Sequence, residues 1–300
     1  MLNRKFIYFI NPISGTRGKT VLPDLIKKTT AAHDIPFEIL HTNAEGKYGY
    51  LVEKIAAEKI TDIIVCGGDG TVNQLAFALQ GVDVNIGIIP MGSGNGLAFA
   101  ARIPKKAEKA LEVIFTGTPV HIDSFLINGR FSCMLCGLGF DAQVAHDFAR
   151  QHKRGLSTYI KESAKNFFKA RPYDFSIAVN GEQMQTASFF ISIANSNQFG
   201  NHFTIAPMAS LYDGLLDIVV VNKMSKMKMV WSVLNQVRNG KVRMYGDKKQ
   251  RRSDIHYFQT EALTIQNPGM APLHIDGDPA DTAASFEIKI IKKAFRLIMP

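Results

Sequence analysis

Apolar residues in the first third of the chain alternate between short unbroken runs and sets at helical spacing. Residues 5–10 form an apolar run that predicts a strand, and a polar, glycine-containing loop follows over 11–19. Residues 21–32 carry helical spacing, 36–41 read as a second strand and 48–59 as a second helix. The β-branched run 62–66 predicts a buried strand that enters Gly67-Gly68-Asp69-Gly70, with a helix over 71–79. A strand over 85–89, a glycine-rich loop and a helix over 96–102 complete the series. Strand, loop and helix in repetition predict a mainly parallel sheet with helices on both faces.

The pattern changes near residue 120. Residues 131–135 are strand-like, and 157–168 are helically spaced and give way near Pro172. Runs over 175–179 and 188–194 flank Asn180-Gly181, a hairpin signal because Asn-Gly suits the two positive φ angles of a type I′ turn. Further strands over 215–221, 262–266 and 286–291 make the second part mostly antiparallel, a predicted β-sandwich. The expected division is an α/β domain over 1–122 and a β-rich domain over 123–293, with residues 294–300 able to return to the first domain.

Composition narrows the partners. A chain of 300 residues is long for one hydrophobic core, and 46% hydrophobic with 20% charged content is ordinary for a globular protein. No apolar stretch approaches the roughly 20 residues of a spanning helix, and the run at 6–10 is too short for a signal-peptide core, so the expected location is the cytoplasm. Cys133 and Cys136 have CxxC spacing but no second pair or histidine cluster, and read as buried thiols. A net charge of +9 favours anionic partners. The basic residues fall in small groups without a long basic helix, zinc finger or RNA-stacking motif, so nucleic acid is not expected.

Ligands of an open parallel sheet bind beyond the carboxyl ends of its strands, and three loops fall there. The first, Asn11 to Thr20, ends Gly-Lys-Thr but has Ile13 where a P-loop needs glycine. Its Ser14, Gly15, Arg17 and Lys19 can still grip phosphate by charge and backbone amides; an ordinary strand-to-helix turn is the alternative. In the second loop, Gly67, Gly68 and Gly70 around Asp69 permit close approach of a bulky anion, and Thr71 is placed to cap the next helix. A carboxylate beside a phosphate site repels it unless a cation intervenes or the carboxylate handles a proton. Asp69 therefore predicts Mg²⁺ coordination or acid/base work, against a structural Asx-turn. The third loop, with Gly92, Ser93, Gly94 and Asn95, offers amides and polar side chains near a helix start, which suits a nucleotide.

In this order and spacing the three loops resemble the catalytic domain of the diacylglycerol kinase and sphingosine kinase superfamily. Ile122-Asp123, Gly137 to Ala142, Ala206-Pro207, Asp213 to Asp217 and Ile275 to Asp278 extend the resemblance over nearly the whole chain. It implies an NAD kinase-like α/β nucleotide domain and a β-rich lipid domain, with ATP and Mg²⁺ as cofactors. It implies that Asn11, its loop and Gly67 to Thr71 contact phosphates, and that Thr42 lines the nucleotide site. Asp69 and Asp123 would serve metal or acceptor positioning, and Asp213 and Asp217 match a structural Mg²⁺ pair. Two departures are Gly96, where bacterial diacylglycerol kinases usually have aspartate, and Asp278 in place of an expected glutamate.

The resulting expectation is a lipid kinase that transfers the γ-phosphate to a lipid hydroxyl, diacylglycerol before a sphingoid base. Asp69 and Asp278 are candidates for proton handling, supported by Asp123. The expected partners are a membrane lipid and an anionic membrane surface, met peripherally; a homodimer is left open. Residues 223–231, methionines and Trp231 interleaved with lysines, suit a headgroup boundary, or equally a helix packed on the sandwich. The rivals are an NAD kinase-like soluble-metabolite kinase, which shares Gly-Gly-Asp-Gly-Thr, and a non-catalytic lipid- or nucleotide-binding regulator.

Overall fold

The computed structural model describes residues 4–13, 21–43, 45–151, 165–167, 169–198, 205–223 and 255–300. Ser14, Gly15, Arg17, Lys19, most of the predicted helix 157–168 and residues 224–231 of the headgroup segment lie outside the described residues. The chain divides into two compact units, Met1–Asp123 with Lys292–Pro300, and Ser124–Ile291.

The first unit is built on β1 (Phe6–Ile10), β2 (Phe37–His41), β3 (Asp62–Gly67) and β4 (Asn85–Pro90), all parallel in the order β2-β1-β3-β4. The end of β15 (Ser285–Met299) adds a fifth parallel strand beside β4, with Arg296 opposite Asn85. Runs such as Phe6–Ile10 and Ile63–Cys66 are buried throughout, as strands covered on both faces require. The helices are α1 (Leu22–Ala31), α2 (Tyr50–Glu58), α3 (Asp69–Ala78), α4 (Gly96–Ala100) and α5 (Ala107–Thr116). In α1, Leu22, Ile26 and Thr30 recur every four residues on the buried face, with a proline and Asp24 in the first turn and Lys28 in the last. The alternation that predicted a parallel sheet is realised; α5, inside a stretch with no assigned element, is not foreseen.

The second unit is antiparallel. Strands β7 (Leu135–Gly139), β8 (Tyr173–Val179), β9 (Glu182–Ala194), β10 (Leu216–Asn222), β11 (Ile255–Thr260) and β12 (Ala262–Gln266) pair around the long β9. Phe175, Ile177, Ile191, Ile193, Ile218, Val220, Phe286 and Ile288 fill its core. Asn180 and Gly181 have φ of 50° and 81°, which confirms the two-residue turn joining β8 to β9. The predicted strand 131–135 is broken: β6 (Arg130–Ser132) ends, Cys133 and Met134 turn out of the ladder, and β7 starts at Leu135. The residues after β7, read only as a motif, form α6 (Phe140–Ala149). Cys133 and Cys136 are buried thiols.

Candidate functional site

Register sets the ends of the parallel strands level. Ile10 lies opposite both His41 and Cys66, and Gly67 opposite Pro90. Because β2 lies on one side of β1 and β3 on the other, the chain reverses direction across the sheet between β1 and β3. That is the switch point at which open α/β sheets leave a crevice for ligands. The Asn11 loop follows β1, the Gly67 loop follows β3, and the Gly92 loop follows β4.

The loops are tied to one another. Asn11 N donates to Cys66 O at 3.0 Å, and Asn11 Nδ2 donates to Thr71 Oγ1 at 2.8 Å. Met91 N donates to Gly67 O at 2.8 Å. The second and third loops touch backbone to backbone: a Cβ on Gly92 would lie 2.7 Å from Gly68 Cα, closer than real Cβ atoms come. These glycines thus bring loop against loop, beyond any close approach of an anion.

Thr71 does not cap α3. The helix begins two residues earlier, at Asp69, with Gly68 as its N-cap in extended conformation and no side-chain cap bond. Gly68, extended at φ −98°, precedes the helix, and the Thr71 hydroxyl is left to accept from Asn11. Thr71 N and Val72 N both donate to Gly68 O, whereas Gly70 N has no acceptor within the helix. Asp69, acidic in the first turn, is half-buried, and its Oδ1 accepts Leu97 N at 3.3 Å. Its carboxylate therefore spans from the second loop to the start of α4. Asn95, buried with φ 54°, spends its side chain inside the third loop: Oδ1 accepts Gly92 N at 2.7 Å and Nδ2 donates to Gly92 O at 2.8 Å. Ser93 is exposed, and Thr42, half-buried, directly follows β2, with its amide donating to Ile10 O at 3.1 Å.

The other predicted acids lie on other elements. Asp123 lies on β5 (Thr118–Ile127), is buried, and its Oδ1 accepts Lys293 N at 2.7 Å. Asp278 is the exposed first residue of β14 (Asp278–Ala280) in the second unit. Asp213 Oδ1 accepts Leu215 N at 3.1 Å. Asp217 is fully buried on β10; it accepts hydrogen bonds from Tyr257 Oη and, at 3.2 Å, from Gln259 Nε2. Burial pushes its carboxyl up to about 6; the Tyr257 and Gln259 bonds oppose this, and the negative charge of Asp213 adds to it. Among the described residues the side-chain donors to Asp217 are neutral and Asp213 adds a second negative charge, which a divalent cation would offset, although no group of three or more His, Cys, Asp or Glu gathers there. Two carboxylates fall short of the six oxygens Mg²⁺ takes, so waters or carbonyls complete such a site.

Sequence reasoning missed a set of residues in the second unit. The Asp276 carboxylate is enclosed by Ser132, Cys133, Met134 and Leu135, and buried His274 lies with Nε2 3.4 Å from Asp141 Oδ2. Asp276 and Asp141 belong to motifs that the sequence displays. The partners of Asp276, more than 140 positions away, carry no sequence signal of the contact.

The fold and these loops agree with comparisons to known proteins. Residues 5–127 match the diacylglycerol kinase catalytic domain, and residues 135–299 match the YegS C-terminal NAD kinase beta sandwich-like domain. This chain belongs to that family of lipid kinases. A Chromohalobacter salexigens protein named probable lipid kinase YegS-like is 25% identical over 242 residues, 78% of this chain and 75% of its own. An Escherichia coli O17:K52:H18 protein named probable lipid kinase YegS is 26% identical over 264 residues, 85% and 84% of the two chains. A crystal structure of a diacylglycerol kinase from Bacillus anthracis str. Sterne shares the fold with a TM-score of 0.73, at 19% identity, over 99% of this chain and 97% of that one. Among the described residues no helix is long and apolar enough to cross a membrane.

Proposed function

We propose that this protein uses ATP to phosphorylate the hydroxyl of a membrane lipid, with diacylglycerol as the first candidate. The observation that carries this reading is the bonded meeting of three loops at the switch point, with the Asp69 carboxylate at the start of α3. Phosphates are received by the Gly70 amide and the positive end of α3, with Arg17 and Lys19 adding charge from the first loop. Mg²⁺ supplies neutralisation of phosphate charge when bound; Asp69 would hold the ion that accompanies ATP, and Asp213 with Asp217 a structural one.

Asp278 takes the proton of the lipid hydroxyl as its oxygen bonds to the γ-phosphorus. The bond from that phosphorus to the bridging oxygen breaks, and ADP leaves. Asp123 supports the acceptor. An aspartate reaches about 1.5 Å less than a glutamate, one carbon–carbon bond, so the lipid hydroxyl must come closer or a water must relay the proton. The net charge of +9 favours peripheral binding to an anionic leaflet, where the substrate resides.

The test is incubation with γ-labelled ATP and total lipid extract, followed by mass spectrometry of labelled products. Labelled phosphatidate is expected. A labelled sphingoid-base phosphate would move the acceptor within the family, and label in NADP alone would favour the soluble-metabolite reading. ATP binding without transfer would favour a regulator. Asp69→Asn is expected to lower transfer at least about a hundredfold with an unchanged melting temperature; near-normal turnover removes Asp69 from the mechanism.

A further inference from the structure

We propose that Asp276 is a positioning residue for phosphoryl transfer, anchoring through its carboxylate the hairpin that presents Asp278. The inference rests on the reading of Asp278 as the proton acceptor. Strands β13 (Leu273–Ile275) and β14 pair with Ile275 opposite Asp278, so Asp276 and Gly277 form a two-residue turn. Both have positive φ, 50° and 86°, the backbone of a type I′ hairpin.

Such a turn forms from its own backbone preferences. The Asn180-Gly181 turn has the same signs of φ and no side-chain anchor at Asn180 among the described residues. Asp276 is held quite differently. Its Oδ1 accepts Ser132 Oγ at 2.6 Å, Met134 N at 3.2 Å and Leu135 N at 3.0 Å, and its Oδ2 accepts Cys133 N at 3.3 Å. Its own amide donates to Leu135 O at 2.8 Å. Hydrogen bonds to an ionised carboxylate are roughly twice as strong as neutral ones. The break between β6 and β7 is what turns the Cys133 and Met134 amides toward this carboxylate. The strand gives up ladder pairing there and supplies donors to a side chain.

The second residue of the turn is braced as well. Gly277 N donates to His274 Nδ1 at 3.3 Å, which places the ring proton on Nε2, facing Asp141 Oδ2 at 3.4 Å. A side chain at Gly137 would collide with both, its Cβ lying 2.6 Å from His274 Nε2. The backbone immediately before Asp278 is thus fixed from two sides. Asp278 has a short side chain and cannot make good a displaced backbone, and a misplacement of about 1 Å at a reacting group costs on the order of a hundredfold in rate.

The experiment is a double-mutant cycle on lipid phosphorylation by the full chain, with kcat and the KM for ATP measured separately. Asp276→Asn puts an amide NH₂ where a carboxylate oxygen accepted. It is expected to lower kcat about ten- to a hundredfold and to leave the KM for ATP within about twofold. In the Asp278→Asn background the same change is expected to cost less than about twofold, because Asp276 acts only through Asp278. Equal losses in both backgrounds, a kcat within about twofold of wild type, or a loss confined to the KM for ATP each overturn the inference. If Asp276→Asn does not fold, Ser132→Ala removes one donor and is held to the same criteria, with an expected loss of about three- to tenfold in wild type alone. Wild-type activity of Asp278→Asn by itself is a separate result: it refutes the proton-acceptor assignment and leaves this hairpin nothing to position.

Discussion

Two aspartates, one near the start of a strand in each unit, are almost wholly removed from water and are kept there by different means. Asp62 opens β3 and is fully buried. Arg4 grips it with Nε at 3.1 Å and Nη2 at 2.8 Å, Thr61 Oγ1 donates at 2.6 Å and Asn85 Nδ2 at 3.1 Å. The same guanidinium also donates to Ile114 O and Phe115 O at the end of α5, so one cation joins strand, helix end and carboxylate. Among the described residues, Asp217 on β10 is hydrogen-bonded by the Tyr257 hydroxyl and the Gln259 amide, both neutral, and its carboxyl is pushed up to about 6. Equal burial therefore yields a fixed ion pair at one site and, at the other, a carboxylate that holds its proton more tightly than usual. A buried charge without a counter-ion is costly, and that cost is relieved by protonation or by a cation.

The largest expected effect breaks the first member of the comparison. Arg4→Ala leaves Asp62 buried without its cation and is expected to cost about 3–5 kcal/mol of unfolding free energy in denaturant titration. A loss under about 1 kcal/mol would show that Asp62 does not depend on its ion pair.

Next in size is Asp217→Asn, which removes the ionisation but keeps an oxygen for Tyr257. The folded-state value of about 6 lies above the ordinary 3.8, so the folded protein holds this proton more tightly than the unfolded chain. The resulting stability is present below about pH 4 and is lost as pH rises through 6. Wild type without metal is therefore expected to fall relative to Asp217→Asn across that window, by about 2–3 kcal/mol in all. Parallel pH curves for the two proteins would contradict the raised carboxyl.

The smallest effect sharpens the contrast. Millimolar Mg²⁺ at pH 7.5 is expected to raise the melting temperature of wild type by about 2–4 °C and to leave Asp217→Asn unmoved. An equal rise in both would place the ion elsewhere.

Much of the architecture was legible in the chain. Unbroken apolar runs such as Ile63–Cys66 and helically spaced sets such as Leu22, Ile26 and Thr30 announce a parallel sheet with its helices, and Asn180-Gly181 announces a hairpin. The three glycine loops were legible too, because the strand ends they follow are readable from hydrophobicity. What was misread follows from tertiary demands. The helix after β3 starts at Asp69 and not at Thr71, whose hydroxyl is engaged by Asn11 instead of capping it. The strand over 131–135 breaks because Cys133 and Met134 serve Asp276. Asn95 reads as a nucleotide contact by composition, yet both polar atoms of its side chain are bonded within the third loop.

Local order along the chain, carried by periodicity and turn chemistry, was enough to determine which segments become strands, helices and glycine loops, and which family the chain joins. Only the folded arrangement decided what each acid meets. A carboxylate's state depends on donors and charges within a few ångströms, and those arrive from distant sequence: Arg4 for Asp62, Tyr257 for Asp217, and for Asp276 a set of donors 141 to 144 positions away.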